Sequence, residues 1–303
     1  MNIFKPLKGV IPPMMTPVNS SQDVDETGVR NIVSRCIRLG VSGVFVLGTM
    51  GEGQSLVKSE RKKLIEIAVD EAKGRIPVLA GVSAEGSRKA MENAEDALEA
   101  GADYIVSLTP YFFEAADQQE LIDFFTNLAN NITKPLVLYN NPYMTRNSLT
   151  LDTILKLSEN SNIAGIKNSS SDFGFLMQLI RAFQNRSDFS VFSGDETTCD
   201  AALTMGADGV VPGIGTLIPD VFVEMYNSSE RKDIIEARQL QKKVLDIMDG
   251  IYLDGYWAWV AGQKYALSQL GLCQEYFTID NRRLNDGEKA RIQKSLVTFG
   301  IKA

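Results

Sequence analysis

From its start to about residue 229 the chain alternates short apolar runs with amphipathic stretches. The runs near Gly9–Met14, Gly43–Leu47, Pro77–Gly81, Tyr104–Leu108, Pro135–Tyr139, Ile163–Lys167, Phe189–Phe192 and Gly209–Val211 have the length of buried strands. Helical patterns fall between them, as in Glu60–Ala72, Arg88–Ala100, Gln118–Leu128 and Phe175–Phe183. In the second of these, Met91, Ala94, Ala97 and Leu98 recur at helical spacing. One junction repeats after a helix and before a strand: Gly40-Val41-Ser42-Gly43, Gly101-Ala102-Asp103-Tyr104 and Gly206-Ala207-Asp208-Gly209. Glycine tolerates the left-handed conformation that ends a helix, so the repeat predicts one αβ turn used three times. Strict alternation predicts a parallel sheet covered by helices. Eight repeats fit a closed (β/α)8 TIM barrel better than an open doubly wound sheet.

Beyond Ser229 the pattern changes. Glu230–Asp249, Tyr256–Leu270 and Asp286–Phe299 predict helices without intervening strands. No Pro- or Ser-rich linker precedes them. The expected organisation is a catalytic barrel over residues 1–229 with a C-terminal helical extension, residues 230–303, packed on it.

Composition narrows the function. With 303 residues and 44% hydrophobic content the chain can bury a large core. A net charge of −7 argues against a general nucleic-acid surface, which needs clustered cations. The basic run Arg61-Lys62-Lys63 sits in a helical pattern among acids and reads as a solvated face. Neither a signal peptide nor a membrane-length apolar run is recognisable, so the cytoplasm is expected. Cys36, Cys199 and Cys273 are odd in number and far apart, which suits reduced thiols. The chain has no histidine. Ser-His-Asp and Cys-His nucleophilic sites and His-ligated zinc are thereby excluded. No metal or cofactor is expected, and proton transfer falls to Tyr, Lys, carboxylates, hydroxyls or water.

Several strand ends carry chemistry-bearing residues. Lys167 closes the run Ile163-Ala164-Gly165-Ile166. In isolation it reads as a solvated strand-end lysine. As the end of a sixth barrel strand it faces the active site, where lost hydration favours the neutral amine that attacks a ketone. Tyr139 ends the preceding strand and is either a packed aromatic or a phenol beside that amine. Gly48-Thr49-Met50-Gly51-Glu52-Gly53 follows the second strand. It is neither a dinucleotide fingerprint nor a P-loop. Its glycines serve a tight turn, whose exposed N–H groups and the Thr49 hydroxyl can also hold a carboxylate. Asp195 and Glu196 follow the seventh strand, either as helix-start acids or as substrate contacts. Around Val211 and Gly213 the run Gly209-Val210-Val211-Pro212-Gly213 lets a ligand approach the backbone.

Taken together, Gly48-Thr49-Met50-Gly51-Glu52, Thr109-Pro110-Tyr111, Tyr139-Asn140-Asn141-Pro142 and Gly165-Ile166-Lys167 resemble the dihydrodipicolinate synthase / N-acetylneuraminate lyase family. The resemblance runs over nearly the whole chain. It implies a Schiff-base (class I) aldolase or lyase on a (β/α)8 barrel, without metal, acting on a pyruvate-type 2-keto acid and assembled as a homodimer or homotetramer. It makes Lys167 the imine lysine, Tyr139 the proton-shuttling phenol, and Gly48, Thr49, Met50 and Gly51 the carboxylate site. Synthases of the family carry two adjacent hydroxyl residues in the glycine turn, where this chain has Thr49 and Met50. They carry a second tyrosine, reaching across a dimer interface, where this chain has Phe112. An arginine that binds the aldehyde substrate becomes Met144, with Arg146 two residues on. These departures favour a lyase, aldolase or dehydratase on another 2-keto acid over the synthase reaction. Asp195-Glu196 resembles a pair that holds polyhydroxylated substrates, which points to a 2-keto-3-deoxy sugar acid or a sialic-acid-like molecule. The synthase itself, and a 2-keto-acid-binding protein without turnover, remain the alternatives.

Overall fold

In a computed structural model the chain is described over residues 6–254, 258–279 and 283–303. The strands are β1 (Gly9–Val10), β2 (Val44–Val46), β3 (Val78–Gly81), β4 (Tyr104–Leu108), β5 (Leu136–Asn140), β6 (Ile163–Asn168), β7 (Ser190–Ser193) and β8 (Gly209–Val210). They pair in parallel as one eight-stranded sheet, β1-β8-β7-β6-β5-β4-β3-β2. The helices between and after them are α1 (Glu26–Arg38), α2 (Lys58–Ala72), α3 (Ser87–Glu99), α4 (Gln118–Asn131), α5 (Pro142–Thr145), α6 (Leu151–Leu157), α7 (Phe173–Phe183), α8 (Cys199–Thr204) and α9 (Pro219–Glu230). The fold is a (β/α)8 barrel followed by α10 (Ile234–Ile251), α11 (Ala258–Gln269) and α12 (Asp286–Thr298).

The first strand is shorter than the Gly9–Met14 run suggests. Pro12 and Pro13 have no N–H to give to a ladder, so regular pairing stops at Val10. The extended chain nevertheless bridges Pro13 to Phe45. Phe45 N–H donates to Pro12 O at 3.1 Å and Met14 N–H to Phe45 O at 2.8 Å. This seam closes β1 onto β2.

The three repeated junctions do two things. Gly40, Gly101 and Gly206 have φ of +83°, +90° and +101°, which a side chain resists. The polar residue two positions later then grips the neighbouring strand with both backbone and side chain. Ser42 N–H donates to Val10 O at 2.8 Å and its hydroxyl accepts from Val10 N–H at 3.3 Å. Asp103 N–H donates to Val78 O at 2.9 Å and its carboxylate accepts from Val78 N–H at 2.9 Å. Asp208 does the same to Val191, with both bonds at 2.9 Å.

Strand alternation divides the core into two layers. Ile11, Phe45, Leu79, Val106, Val137, Tyr139, Phe192 and Val211 fill the barrel lumen. Leu136, Leu138, Ile166 and Val191 face outward into the layer beneath the helices. That outer layer is continuous with Val244, Ile247, Ile251, Val260 and Ile292 of α10, α11 and α12.

The Glu230–Asp249 pattern resolves into the end of α9 and a separate α10. Lys232 adopts a left-handed φ of +63°, and the Asp233 carboxylate caps the new helix by accepting from Glu236 N–H. The Tyr256 start expected for the next helix lies outside the described residues, and α11 is seen from Ala258. Arg61 corrects the solvated reading of its basic run. Lys62 and Lys63 make surface pairs with Glu99 and Glu60, but the Arg61 guanidinium turns inward to Gly53 O and, at 2.9 Å, Gly81 O. Among the described residues no helix is long and apolar enough to cross a membrane.

Removing the junction acids tests this account. Asp103→Ala or Asp208→Ala strands a buried amide, Val78 or Val191, and each is expected to cost about 1–3 kcal/mol in urea unfolding. Asp→Asn at either site keeps an acceptor and should cost less.

Candidate active site

The C-terminal ends of β5 and β6 bring the two chemical side chains together. Tyr139 and Lys167 are register partners, so both point into the lumen at the same level. Lys167 is only 5% exposed, which corrects the solvated reading of a strand-end lysine. Its Nζ lies 4.1 Å from the Tyr139 ring centroid and 5.4 Å from that of Phe45. The Phe45 ring meets Tyr139 edge-on at 6.3 Å. An amine is thus held among aromatic faces at the mouth of an apolar barrel.

The phenol of Tyr139 is tied down from two sides. Asn141 Nδ2 donates to it at 3.1 Å, and the Thr49 hydroxyl lies 3.5 Å away. Burial pushes this phenol up. The Lys167 ammonium outweighs burial, together with hydrogen bonds from Thr49, Asn141 and Lys167, and holds it below its ordinary value.

Thr49 sits in the Gly48–Gly53 turn. Gly51 N–H and Gly53 N–H donate to Gly48 O at 3.0 and 3.3 Å, and Glu52 N–H to Thr49 O at 3.2 Å. Thr16 Oγ1 donates to Gly51 O, and Arg61 holds Gly53 O. Among the described residues the amides of Thr49 and Met50 have no protein acceptor. Two unpaired donors therefore adjoin a hydroxyl that lies beside Tyr139, an arrangement that can take a carboxylate.

On the opposite wall Gly194 leaves room for the lysine. A Cβ there would stand 2.7 Å from Lys167 Cε and 2.0 Å from Ser169 Oγ. The Ser169 hydroxyl and Asn141 Oδ1 are buried without a protein partner. Beside Thr49 a cavity of about 260 Å³ is walled by Leu108, Tyr111, Met144, Ser55 and Ile279. A cleft of about 350 Å³ lies at the other end of the barrel near Lys8 and Asp208, away from Lys167.

The remaining predicted residues are placed differently. Both Glu196 oxygens are engaged, one accepting from Tyr252 OH at 2.7 Å and the other from Gly213 N–H at 3.3 Å. Burial, together with Glu196, pushes the Tyr252 phenol well up. Glu196 thus braces the β8 exit against α10, and the Gly213 amide is already used. Asp195 caps the short turn after β7 through Thr197, and Val211 lies in the lumen layer. Phe112 does not enter the site of its own chain. Its ring is 79% exposed and packs edge-on against exposed Phe113 at 4.9 Å. Sequence reasoning missed Asn141, Ser169, Phe45, Arg61 and the Glu52 partner described below. Asn141 and Ser169 flank the singled-out Tyr139 and Lys167, which is the one signal that could have found them.

A buried lysine and phenol at the C-terminal mouth of a (β/α)8 barrel define a Schiff-base lyase of the aldolase class. The model of the dihydrodipicolinate synthetase family matches residues 6–292, and the chain belongs to that family. It is 31% identical over 296 residues to a 4-hydroxy-tetrahydrodipicolinate synthase of Neisseria meningitidis, covering 97% of this chain and 99% of the relative. It is 32% identical over 278 residues to an Escherichia coli protein named "Probable 2-dehydro-3-deoxy-D-pentonate aldolase", 91% of each chain being covered. The solved dihydrodipicolinate synthase of Bacteroides thetaiotaomicron superposes with a TM-score of 0.92 at 36% identity, over 98% of this chain and all of that one (100%). The chain is a class I lyase of the pyruvate-dependent kind.

The depressed phenol is directly testable. In a spectrophotometric pH titration one tyrosine should ionise below the others, because the nearby ammonium stabilises phenolate. Lys167→Met removes that cation, so the same phenol should move upward. An unmoved titration would contradict the pairing.

Proposed function

We propose that the protein cleaves a 2-keto-3-deoxy acid to pyruvate and an aldehyde, or runs the reverse, through an imine on Lys167. The observation that carries this reading is the buried Lys167 amine over the Tyr139 ring, with unpartnered amides of Thr49 and Met50 close by. The Lys167 amine adds to the keto carbon, and the Tyr139 phenol gives its proton to the departing hydroxyl, so that water leaves and a protonated imine and the Tyr139 phenolate remain. The bond between C3 and C4 then breaks as the C4 hydroxyl passes its proton to the Tyr139 phenolate. The bonding electrons move into the imine as an enamine. After the aldehyde departs, a proton returns to C3 and water hydrolyses the imine to pyruvate and free lysine. A phenol held below its usual value suits the proton-accepting step.

The substrate carboxylate binds the Thr49 and Met50 amides in this scheme. Gly48 and Gly51 shape that turn, Ser169 faces the substrate beside Lys167, and Asp195 and the Val211–Gly213 backbone line the outer edge. A 2-keto-3-deoxy sugar acid is our preferred class, supported by the aldolase name of the Escherichia coli relative. Met50, Phe112 and Met144 offer no proton and no cation where a synthase needs them, which disfavours aspartate semialdehyde. We further infer a homo-oligomer. Exposed Phe112 and Phe113, with Phe112 strained at φ +75°, form an aromatic patch suited to a second copy. The cytoplasm is the inferred setting, supported by three free cysteines.

Borohydride with pyruvate should add one reduced pyruvyl group at Lys167, while chelators leave turnover unchanged. Labelling elsewhere, or activity restored by a divalent ion, would sink the mechanism. Lys167→Ala should abolish pyruvate release, and Tyr139→Phe should slow it by roughly 10²–10⁴-fold without preventing pyruvate binding. A screen of 2-keto-3-deoxy acids and sialic acids for pyruvate release identifies the substrate. Met50→Thr with Phe112→Tyr should raise condensation of pyruvate with aspartate semialdehyde, and efficient condensation by the wild type would make the synthase the answer.

Assembly is checked by light scattering, which should show a dimer or tetramer. Phe112→Asp with Phe113→Asp should lower its mass. A wild-type monomer that is active at assay concentration would refute the assembly.

A further inference from the structure

Directly behind the glycine turn lies a charge pair that the reaction scheme does not use. The Lys264 ammonium, on α11 of the C-terminal extension, donates to Glu52 Oε1, and both side chains are 0% exposed. Glu52 Oε2 accepts from Thr278 N–H at 2.8 Å and Thr278 Oγ1 at 2.9 Å. The ammonium also stands 4.7 Å from the Phe277 ring centroid. Among the described residues this is the one ion pair with both partners wholly buried. Glu52 is held in the left-handed region at φ +53°, and its N–H donates to Thr49 O.

Such a pair is a poor choice for stability alone, since apolar residues of similar volume commonly serve a core as well or better. Its position supplies another reason. Glu52 follows Gly51 directly, so an uncompensated carboxylate there would face any anion bound by the Thr49 and Met50 amides. We propose that Lys264 is a positioning residue for the substrate. By neutralising and anchoring Glu52, it makes the turn receptive to a carboxylate and brings the C-terminal extension into the catalytic unit. This rests on the reading of the turn as the carboxylate site.

The probe is pyruvate alone, with borohydride trapping followed as a function of its concentration. Lys264→Met should raise the half-saturating concentration by roughly tenfold or more, the size expected of one uncompensated charge about a nanometre away at protein dielectric. The limiting trapping rate should change far less. Glu52→Gln, which keeps the shape and an acceptor, should leave half-saturation at or below the wild-type value. The double variant Glu52→Gln/Lys264→Met should return close to wild type. A merely structural pair predicts otherwise, with both single variants impaired and the double variant worst. Unchanged half-saturation in Lys264→Met, or no recovery in the double variant, overturns the proposal. Should Lys264→Met fail to fold, a tenfold rise in Glu52→Gln alone overturns it equally. Wild type that forms no pyruvate adduct defeats the reading of the turn and this inference with it, a failure visible before any substitution is made.

Discussion

The geometry of the candidate site depends on one pairing of register, Tyr139 opposite Lys167 across β5 and β6. In a parallel ladder, register partners share a face, so a one-residue slip would send one of the two out of the lumen. Other strand pairs of the barrel are held by devices that lie far from the chemistry. The reciprocal grips of Ser42, Asp103 and Asp208 lock strands to their neighbours at the opposite end. The Pro13–Phe45 bridge closes the seam, and Phe45 then presents its ring to both Tyr139 and Lys167. A phenol held down by an ammonium, inside an apolar lumen, is the electrostatic outcome of that mechanical precision.

What the sequence made legible follows the periodicities. Strand runs were readable because a barrel strand is apolar on both faces, and the repeated junction of glycine with Ser or Asp two residues on announced both the turn and, unnoticed, the strand grip. Lys167 and Tyr139 were readable because each closes an apolar run. Boundaries failed where a local rule overrode the pattern. Two prolines cut β1 short, and Asp233 started α10 later than the hydrophobic spacing suggests. Arg61 was misread because one helical face can carry a solvated lysine and an inward arginine only a residue apart.

The parts of the site that were illegible share a cause: they are made by contacts between distant segments. Glu52 meets Lys264 across more than two hundred residues, and Lys264 lies in a helix whose pattern gives no hint that a lysine is wholly buried. Glu196 looked like a substrate acid from its place after β7. Its two oxygens are consumed by Tyr252 and Gly213, a use that depends on where α10 ends. The same acidic pair thus reads as ligand or brace according to a neighbour that only the fold supplies.

These contrasts separate an inner half of the site from an outer one. In the proposed reaction the inner half, comprising Lys167, Tyr139, Thr49 and the two open amides, handles only the keto-acid portion. The outer half includes Leu108, Tyr111, Met144 and Ile279, with Phe112 on the surface beyond its own chain's site. Among the described residues no cation lines this cavity, and neither Met50 nor Phe112 carries a hydroxyl. On the proposed reading, a condensation that needs further proton carriers is disadvantaged, whereas cleavage can use the hydroxyl that the substrate itself carries at C4. On that reading the departures from the synthase pattern act on the partner and the direction of proton flow while leaving imine formation intact.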